Sequence, residues 1–569
     1  MAKKHIYIAT AWPYANGPLH LGHVAALLGA DVLARYYRMN HDNVLMVSGS
    51  DCHGTPITVE ADKQKIAPKK IAEKYHALFV ESFIHGLGMS HDLYTTTMTE
   101  NHAKVVQDIF LKLHKEGFIY PKTVDLPYCV KDGRFLPDRY VEGECPICHY
   151  NNARGDQCDE CGSMLDPDTL ISPRCKLCGT TPEWRPSEHL YLRLSHFQGQ
   201  IRDWVSHAQG WRVNALHFTR NFLEKETLQD RAITRDTEWG VPIPLPGFES
   251  KRIYVWFEAV CGYLSASKEY SHNNGTPALW EEYWKNSASE HYYFLGKDNI
   301  PFHAIIWPAI LMGYGDLHLP DHIISSEYLT LEKKQFSKSR NWAIELHNFL
   351  HDFPPDTLRY YLIANGPETS DADFSWKEFQ SRTNKELIAN YGNFIHRALS
   401  LIANNFPEGI RPYTESSHAE GDTVADAFIK EAHDCFEKVG TSISGGHFRE
   451  GLRHILSLAE HGNRYINTTA PWEMLKKDKE KAGYYLGVCG HVITCLSTLA
   501  YPYIPFSSRT LNTALGISEK EPFNGSGLTW EIPTPHHIVL HDLKPLFSLI
   551  SDTEVHTQEE KLSQGIANK

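Results

Sequence analysis

The sequence has no apolar run close to the roughly 18 uninterrupted residues of a membrane-spanning helix. Its N-terminal stretch, MAKKHIYIATAWPYANG, holds too short an apolar run for a secretory signal. Net positive charge is also absent, since 56 Lys and Arg face 69 Asp and Glu and the formal charge is -13. A basic nucleic-acid-binding surface over the whole protein is therefore excluded, and any such contact must come from local basic faces. We expect a cytoplasmic protein with no membrane contact.

Low-complexity sequence is lacking as well, apart from a polar tail that follows residue 551. The 569 residues, 42% of them hydrophobic, suffice for roughly three or four domains with buried cores. Cysteines are unevenly distributed along the chain: three CxxC pairs lie between positions 145 and 178. In a chain without a secretory leader, such clustering favours thiolate metal ligands over disulfides.

The hydrophobic pattern alternates between strand-like and helix-like segments. HIYIATA (5–11) reads as a buried strand, the segment after Gly17 has helical spacing, and NVLMVSGSD (43–51) reads as a second strand. After an irregular cysteine-rich segment, RIYVWFEAV and HYYFLGKD read as sheet, FHAIIWPAILMGYG as helix and HIISSEYLTLE as strand. From about residue 385 to 530 the spacing is helical. The fold class predicted is α/β, a Rossmann-type parallel sheet split by the insertion and followed by an all-α bundle.

The segment CPICHYNNARGDQCDEC supplies Cys145, Cys148, Cys158 and Cys161. Two CxxC pairs at this spacing can close a tetrahedral zinc site, and sites with four cysteine ligands are structural. The alternative is a redox-active CxxC pair.

Three further stretches carry residues suited to anions or ammonium groups. His20 and His23 open the first predicted helix, where free amides favour anions, although turn and core histidines are the alternative. Asp51 follows the second strand, where it can meet an ammonium group or simply cap the next helix. LEKKQFSKSRN (331–341) is a polar stretch that suits either a phosphate-binding loop or a solvated linker.

Taken in order, HxGH, GSDxHGTP, the cysteine insertion, YVWFEAVCGY, GKDNIPFH and FSKSR resemble a class I methionyl-tRNA synthetase over residues 5 to 550. The resemblance implies a two-step reaction. Methionine and ATP, with Mg²⁺, give methionyl-adenylate and pyrophosphate, and methionine then passes to the 3′ end of initiator and elongator tRNA(Met). Two alternatives remain: another HxGH nucleotidyl-transferring enzyme that acts on a small acid, and a synthetase-like RNA-binding protein without activation chemistry.

The resemblance also assigns roles by position. It implies that His20, His23 and Lys338 are catalytic. It also implies that ATP is bound by these three residues together with Gly296, Lys297 and Asp298. It places the anticodon at Asn393, Arg397 and Trp472. The residues that it assigns to methionine are Ala11, Trp12, Tyr14, Asp51, Arg235, Trp256, Ala259, Val260, Tyr263, Asn299 and His303.

The sequence departs from the family pattern at three places. In the loop that matches Lys-Met-Ser-Lys-Ser, Gln335 and Phe336 replace the first lysine and the methionine. Lys333 or Lys334 would then supply the positive charge of the missing lysine. Glu258-Ala259-Val260-Cys261 stands where an Asp-Ala-Pro-Ile run is common. A second zinc site would consist of Cys129, Asp132, Cys175 and Cys178, with Asp132 in place of a cysteine.

The resemblance further implies six parts and a monomer. The monomer follows because the chain stops soon after LKPLFSLI, without an appended dimerisation module. The parts expected are a first catalytic half (1–117), a zinc-knuckle insertion (118–215), a second catalytic half (216–325), a stem-contact region with the FSKS loop (326–384), a helical anticodon-binding bundle (385–550) and the polar tail (551–569).

Overall fold

The computed structural model describes residues 3–155, 158, 160–161, 163, 165, 167–336, 342–411, 422–517, 528–540 and 544–567. The predicted fold class is confirmed: a parallel sheet, a cysteine-rich insertion and a helical bundle follow one another along the chain.

The first part of the chain alternates strands and helices. The residues of its first strand from Ile6 onward are fully buried, as expected of a central parallel strand covered on both faces. The elements are β1 (His5–Thr10), α1 (Leu21–Met39), β2 (Asn43–Ser50), α2 (Thr55–Gln64), α3 (Pro68–Phe79) with a π-helix (Val80–Gly86), β3 (Leu93–Thr96) and α4 (Glu100–Lys115).

The insertion is built on a long antiparallel ribbon, in which β4 pairs with β9 from Ile119 and Leu192 to Tyr128 and Glu183. The cysteine pairs lie on the turns beyond its end. Its elements are β4 (Ile119–Cys129), β5 (Arg134–Phe135), β6 (Val141–Glu144), β7 (Ala153–Arg154), β8 (Ile171–Cys175), β9 (Glu183–Leu192), α5 (Gln198–Ser206), α6 (Val213–Lys225), β10 (Arg231–Ala232) and β11 (Thr234–Arg235).

The next part returns to the central sheet, and it corrects one prediction. RIYVWFEAV is not a strand beyond Ile253, because a helix begins at Val255. This helix is buried around most of its circumference, so it shows no clear apolar stripe. The elements are β12 (Arg252–Ile253), α7 (Val255–Asn273), α8 (Glu281–Trp284), β13 (Glu290–Gly296), a π-helix (Phe302–Ile306), α9 (Trp307–Tyr314) and β14 (His322–Ser326).

The five long parallel strands lie in the order β14-β13-β1-β2-β3. The carboxyl ends of β1 and β13 are neighbours at the centre, where such sheets bind ligands. The segment that follows holds β15 (Leu329–Leu331), β16 (Lys334–Gln335), α10 (Leu346–Asp352), α11 (Pro355–Asn365), β17 (Ala372–Phe374), α12 (Trp376–Arg382) and a π-helix (Thr383–Gly392).

The C-terminal part is helical. One of its helices, Lys479–Ala500, is long and apolar enough to cross a membrane, but 83% of its apolar window is buried inside the fold, as in a core helix. The residues predicted as a polar tail carry a helix, with Val555 buried. The elements are α13 (Asn393–Asn405), α14 (Thr423–Ser444), α15 (Phe448–Thr469), α16 (Pro471–Lys477), α17 (Lys479–Ala500), α18 (Pro505–Ala514) and α19 (Asp552–Ala567).

A buried charge cluster joins α1 of the sheet to α11 and the bundle. Asp31 accepts hydrogen bonds from Arg35 at 2.8 Å and from Arg359 at 2.6 Å, and all three side chains are almost fully buried. Arg359 also donates to the carbonyl oxygens of Pro502 and Tyr503 between α17 and α18. Ion pairing and carbonyl acceptors together satisfy these buried charges, so the cluster fixes how the bundle sits on the first helix.

Candidate functional site

The two histidines of the first helix lie where its free amides point. His20 is the last residue before α1, and its backbone N–H donates to Nδ1 of His23 at 3.1 Å. Their ring centroids are 3.8 Å apart. The pair therefore adds two side chains to the positive end of a 19-residue helix.

The loop after β16 reaches this helix end through Phe336. The Phe336 ring stacks on the His20 ring, with centroids 4.8 Å apart and planes inclined by 10°. Before it, Glu332 and Lys333 form a two-residue hairpin turn in which both φ angles are positive, at 48° and 63°. Lys334 lies over the Trp342 ring at 4.8 Å. Lys338, predicted as catalytic, lies outside the described residues.

A cavity of about 370 Å³ opens at the carboxyl ends of β1 and β13. It brings together most of the residues predicted to bind ATP with three of those predicted to bind methionine. Its lining includes Ala11, Trp12, His20, His23, Gly296, Asp298, Asn299, Gln335 and Phe336.

Lys297 lies beside this cavity but is engaged in ion pairs. Its Nζ donates to Glu327 at 2.7 Å and to Asp371 at 2.8 Å, and it lies over the Tyr328 ring. Burial raises the pKa of the neighbouring Asp298 carboxyl. These contacts fix the position of the Lys297 ammonium group at the edge of the cavity.

Two buried carboxyl groups, those of Asp51 and Glu258, both contact His53. Asp51 is 2% exposed and Glu258, on α7, is 0% exposed. Burial raises the pKa of Asp51, and the charge of Glu258 raises it further. His53 contacts one Glu258 oxygen at 2.8 Å, whereas the other has no hydrogen-bond partner among the described residues. Such a pair attracts a cation, because each added positive charge offsets the burial of the carboxylates.

A short polar contact joins Tyr263 of α7 to His303 of the π-helix Phe302–Ile306, among aromatic rings. Tyr263 and His303 Nε2 are 2.6 Å apart, and Nδ1 of His303 lies 2.9 Å from the Asn299 carbonyl. Nδ1 must therefore carry the proton, Nε2 accepts, and the Tyr263 hydroxyl donates. Burial lowers the pKa of His303 to about 4, so the imidazole is neutral at pH 7.

The Trp12 ring packs between Gly262 of α7 and Gly49 of β2. A Cβ on Gly262 would lie 2.9 Å from its ring, and one on Gly49 would lie 2.5 Å from it, so both glycines are needed for the ring to fit. Its indole Nε1 is buried with no hydrogen-bond partner among the described residues. Tyr14 and Asp51 pair as a parallel bridge, and Val260 is buried on α7 one residue after the half-buried Ala259.

The structure places Arg235 and Trp256 in a second cavity of about 580 Å³, which is lined mostly by residues of the insertion and shares no lining residue with the first cavity. The Arg235 guanidinium lies 3.6 Å from the centroid of the Tyr254 ring and donates to the Ala232 and Thr234 carbonyls. Of the residues predicted to bind methionine, Ala11, Trp12 and Asn299 thus line the first cavity, and Arg235 and Trp256 line the second.

Sequence reasoning missed three residues of this site: His53, Trp239 and Glu258. Trp239 donates from its indole to the Cys52 carbonyl at 2.8 Å and packs edge-on against His53. The signals were present, since His53 lies inside GSDCHGTP and Glu258 marks the departure from the family pattern. Only the fold shows that they meet.

Both predicted cysteine clusters are assembled. In each, four ligand atoms lie within 4.8 Å of one another, from Cys145, Cys148, Cys158 and Cys161 and from Cys129, Asp132, Cys175 and Cys178. In the second, Asp132 lies 3.2 Å from Cys129 and 3.0 Å from Cys175. The carboxylate thus stands in the place of a fourth thiolate, which suits a zinc ion.

The residues predicted to read an anticodon lie on one face of the bundle. Asn393 donates to Asn463 at 2.8 Å, and Arg397 donates to Asn467 at the same distance. The Arg397 guanidinium lies 5.6 Å from the centroid of the Trp472 ring, which is 37% exposed. A polar ladder ending in an exposed ring is suited to unstacked bases.

Comparisons with known proteins agree with this arrangement. A family model described as class I tRNA synthetases (M) matches residues 6–399, and one for the anticodon-binding domain of methionyl tRNA ligase matches residues 417–566. A methionine–tRNA ligase of Dehalococcoides mccartyi is 48% identical over 99% of this chain and 100% of its own length. One from Thermoplasma acidophilum is 46% identical over 91% and 93%.

Among solved structures, Mycobacterium tuberculosis methionyl-tRNA synthetase in complex with methionyl-adenylate matches with a TM-score of 0.77. The match covers 96% of this chain and 99% of that one, at 23% identity, and shows that the fold is shared. The family models and the relatives together establish that the chain belongs to the class I methionine–tRNA ligase family.

Proposed function

We propose that the chain activates L-methionine with ATP and transfers it to tRNA(Met). The observation that carries this proposal is the pair of buried carboxyl groups, Asp51 and Glu258, beside a cavity that also receives the positive end of α1. Pro13, whose carbonyl accepts from the Asp51 backbone N–H at 2.9 Å, lines that cavity. One part of this arrangement suits an ammonium group and the other suits phosphate.

The amino group of methionine binds between Asp51 and Glu258 in this proposal. Trp12 and the Tyr263–His303 pair form the aromatic and polar wall for the thioether, which is polarizable and flexible. Arg235 and Trp256 approach from the second cavity, and Arg235 would leave its carbonyl contacts to pair with the substrate carboxylate.

ATP occupies the 370 Å³ cavity, with its phosphates at the start of α1. His20 and His23 stabilise the charge that develops as the methionine carboxylate attacks the α-phosphate, while Gly296, Lys297 and Asp298 hold the nucleoside. ATP would be bound as its Mg²⁺ complex, in which the ion would offset part of the phosphate charge. Lys338, aided by Lys333 or Lys334, provides the positive charge on the pyrophosphate side.

The cysteine clusters hold two structural zinc ions, one bound by four thiolates and one by three thiolates and Asp132. The helical face of Asn393, Arg397 and Trp472 reads the anticodon. We also propose that the protein acts in the cytoplasm as a monomer.

The test is acylation of purified initiator and elongator tRNA(Met) with methionine and ATP. We expect methionine on both tRNAs, dependent on an intact 3′ end. Acylation of a non-cognate tRNA to the same level, or none of either tRNA(Met), would overturn the proposal.

A further inference from the structure

A third cluster of metal-ligating side chains lies inside the helical bundle, far along the chain from the cysteine insertion. It consists of His433 on α14 and of His491 and Cys495 on α17. The Nε2 atoms of the two histidines are 3.0 Å apart, and the Cys495 Sγ lies 3.9 Å from Nε2 of His491. All three ligand atoms lie within 4.8 Å of one another.

Two of these three separations are close to the edges of a zinc coordination sphere. With Zn–N of about 2.05 Å and Zn–S of about 2.3 Å in a tetrahedron, two nitrogens lie about 3.3 Å apart and a nitrogen and a sulfur about 3.6 Å apart. The observed distances of 3.0 and 3.9 Å each differ from these by about 0.3 Å.

The helices supply the ligands by simple spacing. His491 and Cys495 are four residues apart and so share one face of α17, and this face packs against α14. Metal sites in helical bundles arise in this way, from side chains on facing helices. His491 and Cys495 are 4% and 0% exposed, whereas His433 is half-buried and gives the site a route to solvent.

We propose that His433, His491 and Cys495 bind a divalent zinc ion. The ion would tie α14 to α17. Its role would be structural, since it lies away from the cavity of the catalytic sheet. The site is separate from the two clusters of the insertion and does not depend on the activity proposed above.

The most direct test uses the unaltered protein. Crystals grown from protein equilibrated with micromolar zinc are measured on both sides of the zinc absorption edge. We expect an anomalous difference peak between His433, His491 and Cys495, in addition to peaks at the insertion. No peak in the bundle, beside clear peaks in the insertion, would show that the histidines share only an N–H···N hydrogen bond.

The zinc content of variants is an independent test. Cys495→Ser and His433→Gln should each hold one zinc equivalent fewer per chain than the unaltered protein. Cys489→Ser is the matched control, because Cys489 is equally buried on α17 but lies outside the cluster. Equal zinc content in all four proteins would overturn the proposal, and loss of zinc in Cys145→Ser alone would confine the metal to the insertion.

Discussion

Phe336 stacks on His20 with the two rings inclined by only 10° and their centroids 4.8 Å apart. Gly22 makes room for this contact, since a Cβ at that position would lie 3.0 Å from the His20 ring and 3.7 Å from Phe336. The stack joins the start of α1 to the loop that carries Lys338. Replacement of the Phe336 ring should therefore slow adenylate formation, the step that uses both the start of α1 and Lys338.

Replacing Phe336 by alanine should slow methionine-dependent ATP/pyrophosphate exchange about fivefold, since an aromatic pair contributes about 1 kcal/mol. Phe336→Met is the matched control and restores the family residue, so we expect a rate close to that of the unaltered protein. An alanine variant with an unchanged rate would show that the stack does not position the loop.

Removal of the buried charge at Glu258 should weaken methionine binding. Glu258→Gln should raise KM for methionine about 30-fold or more and leave KM for ATP near its original value, because loss of a buried charge partner costs about 2 kcal/mol or more. Glu269→Gln is the control: it lies further along α7 and accepts hydrogen bonds from Thr95 and Thr99. The same KM in both variants would contradict the proposed ammonium site.

The exposed ring at Trp472 should matter for tRNA and not for activation. Trp472→Ala should lower kcat/KM for tRNA charging by about tenfold, as expected for loss of one base–aromatic stack. Amino-acid-dependent exchange should stay near that of the unaltered protein. Trp472→Phe retains a ring and should charge well; an equal loss in both assays would refute the role in anticodon reading.

The Asp31–Arg359 pair should control stability and its pH dependence. Arg359→Met should reduce the free energy of unfolding by about 3 to 5 kcal/mol, because it leaves a buried carboxylate with one partner fewer. Arg382→Met, which breaks an exposed pair with Glu378, should cost about 0.5 kcal/mol or less. Urea unfolding of the three proteins measures both values, and equal costs would contradict the importance of burial.

The sign of the pH effect follows from Asp31. Burial opposes its ionisation, but Arg35 and Arg359 outweigh burial and hold the pKa of Asp31 well below its usual range. A carboxyl with a lowered pKa contributes stability that is present above its unfolded pKa of about 3.9 and is lost as the pH falls through the folded pKa. Arg359→Met should therefore begin acid unfolding at a higher pH than the unaltered protein.

The sequence was sufficient for features that depend on local spacing. β1, α1 and β2 appear where alternating apolar runs predicted them, and the two CxxC pairs meet as their spacing required. Asp132 was placed by position in a family pattern, and the ribbon of β4 and β9 carries it to Cys175.

Features that depend on tertiary contacts could not be predicted from the sequence. The α7 helix is buried on most sides, so its apolar residues show no period and resemble a strand. The Glu258–His53 contact joins residues 205 positions apart, and the His433–His491 contact joins helices whose packing no local pattern encodes.

The central claim is that this site activates methionine. The most direct measurement is the exchange of labelled pyrophosphate into ATP with purified protein, with methionine, isoleucine or cysteine supplied separately. The account predicts exchange with methionine and little with the other two. Exchange that requires isoleucine or cysteine, or no exchange with any of the three, would contradict it.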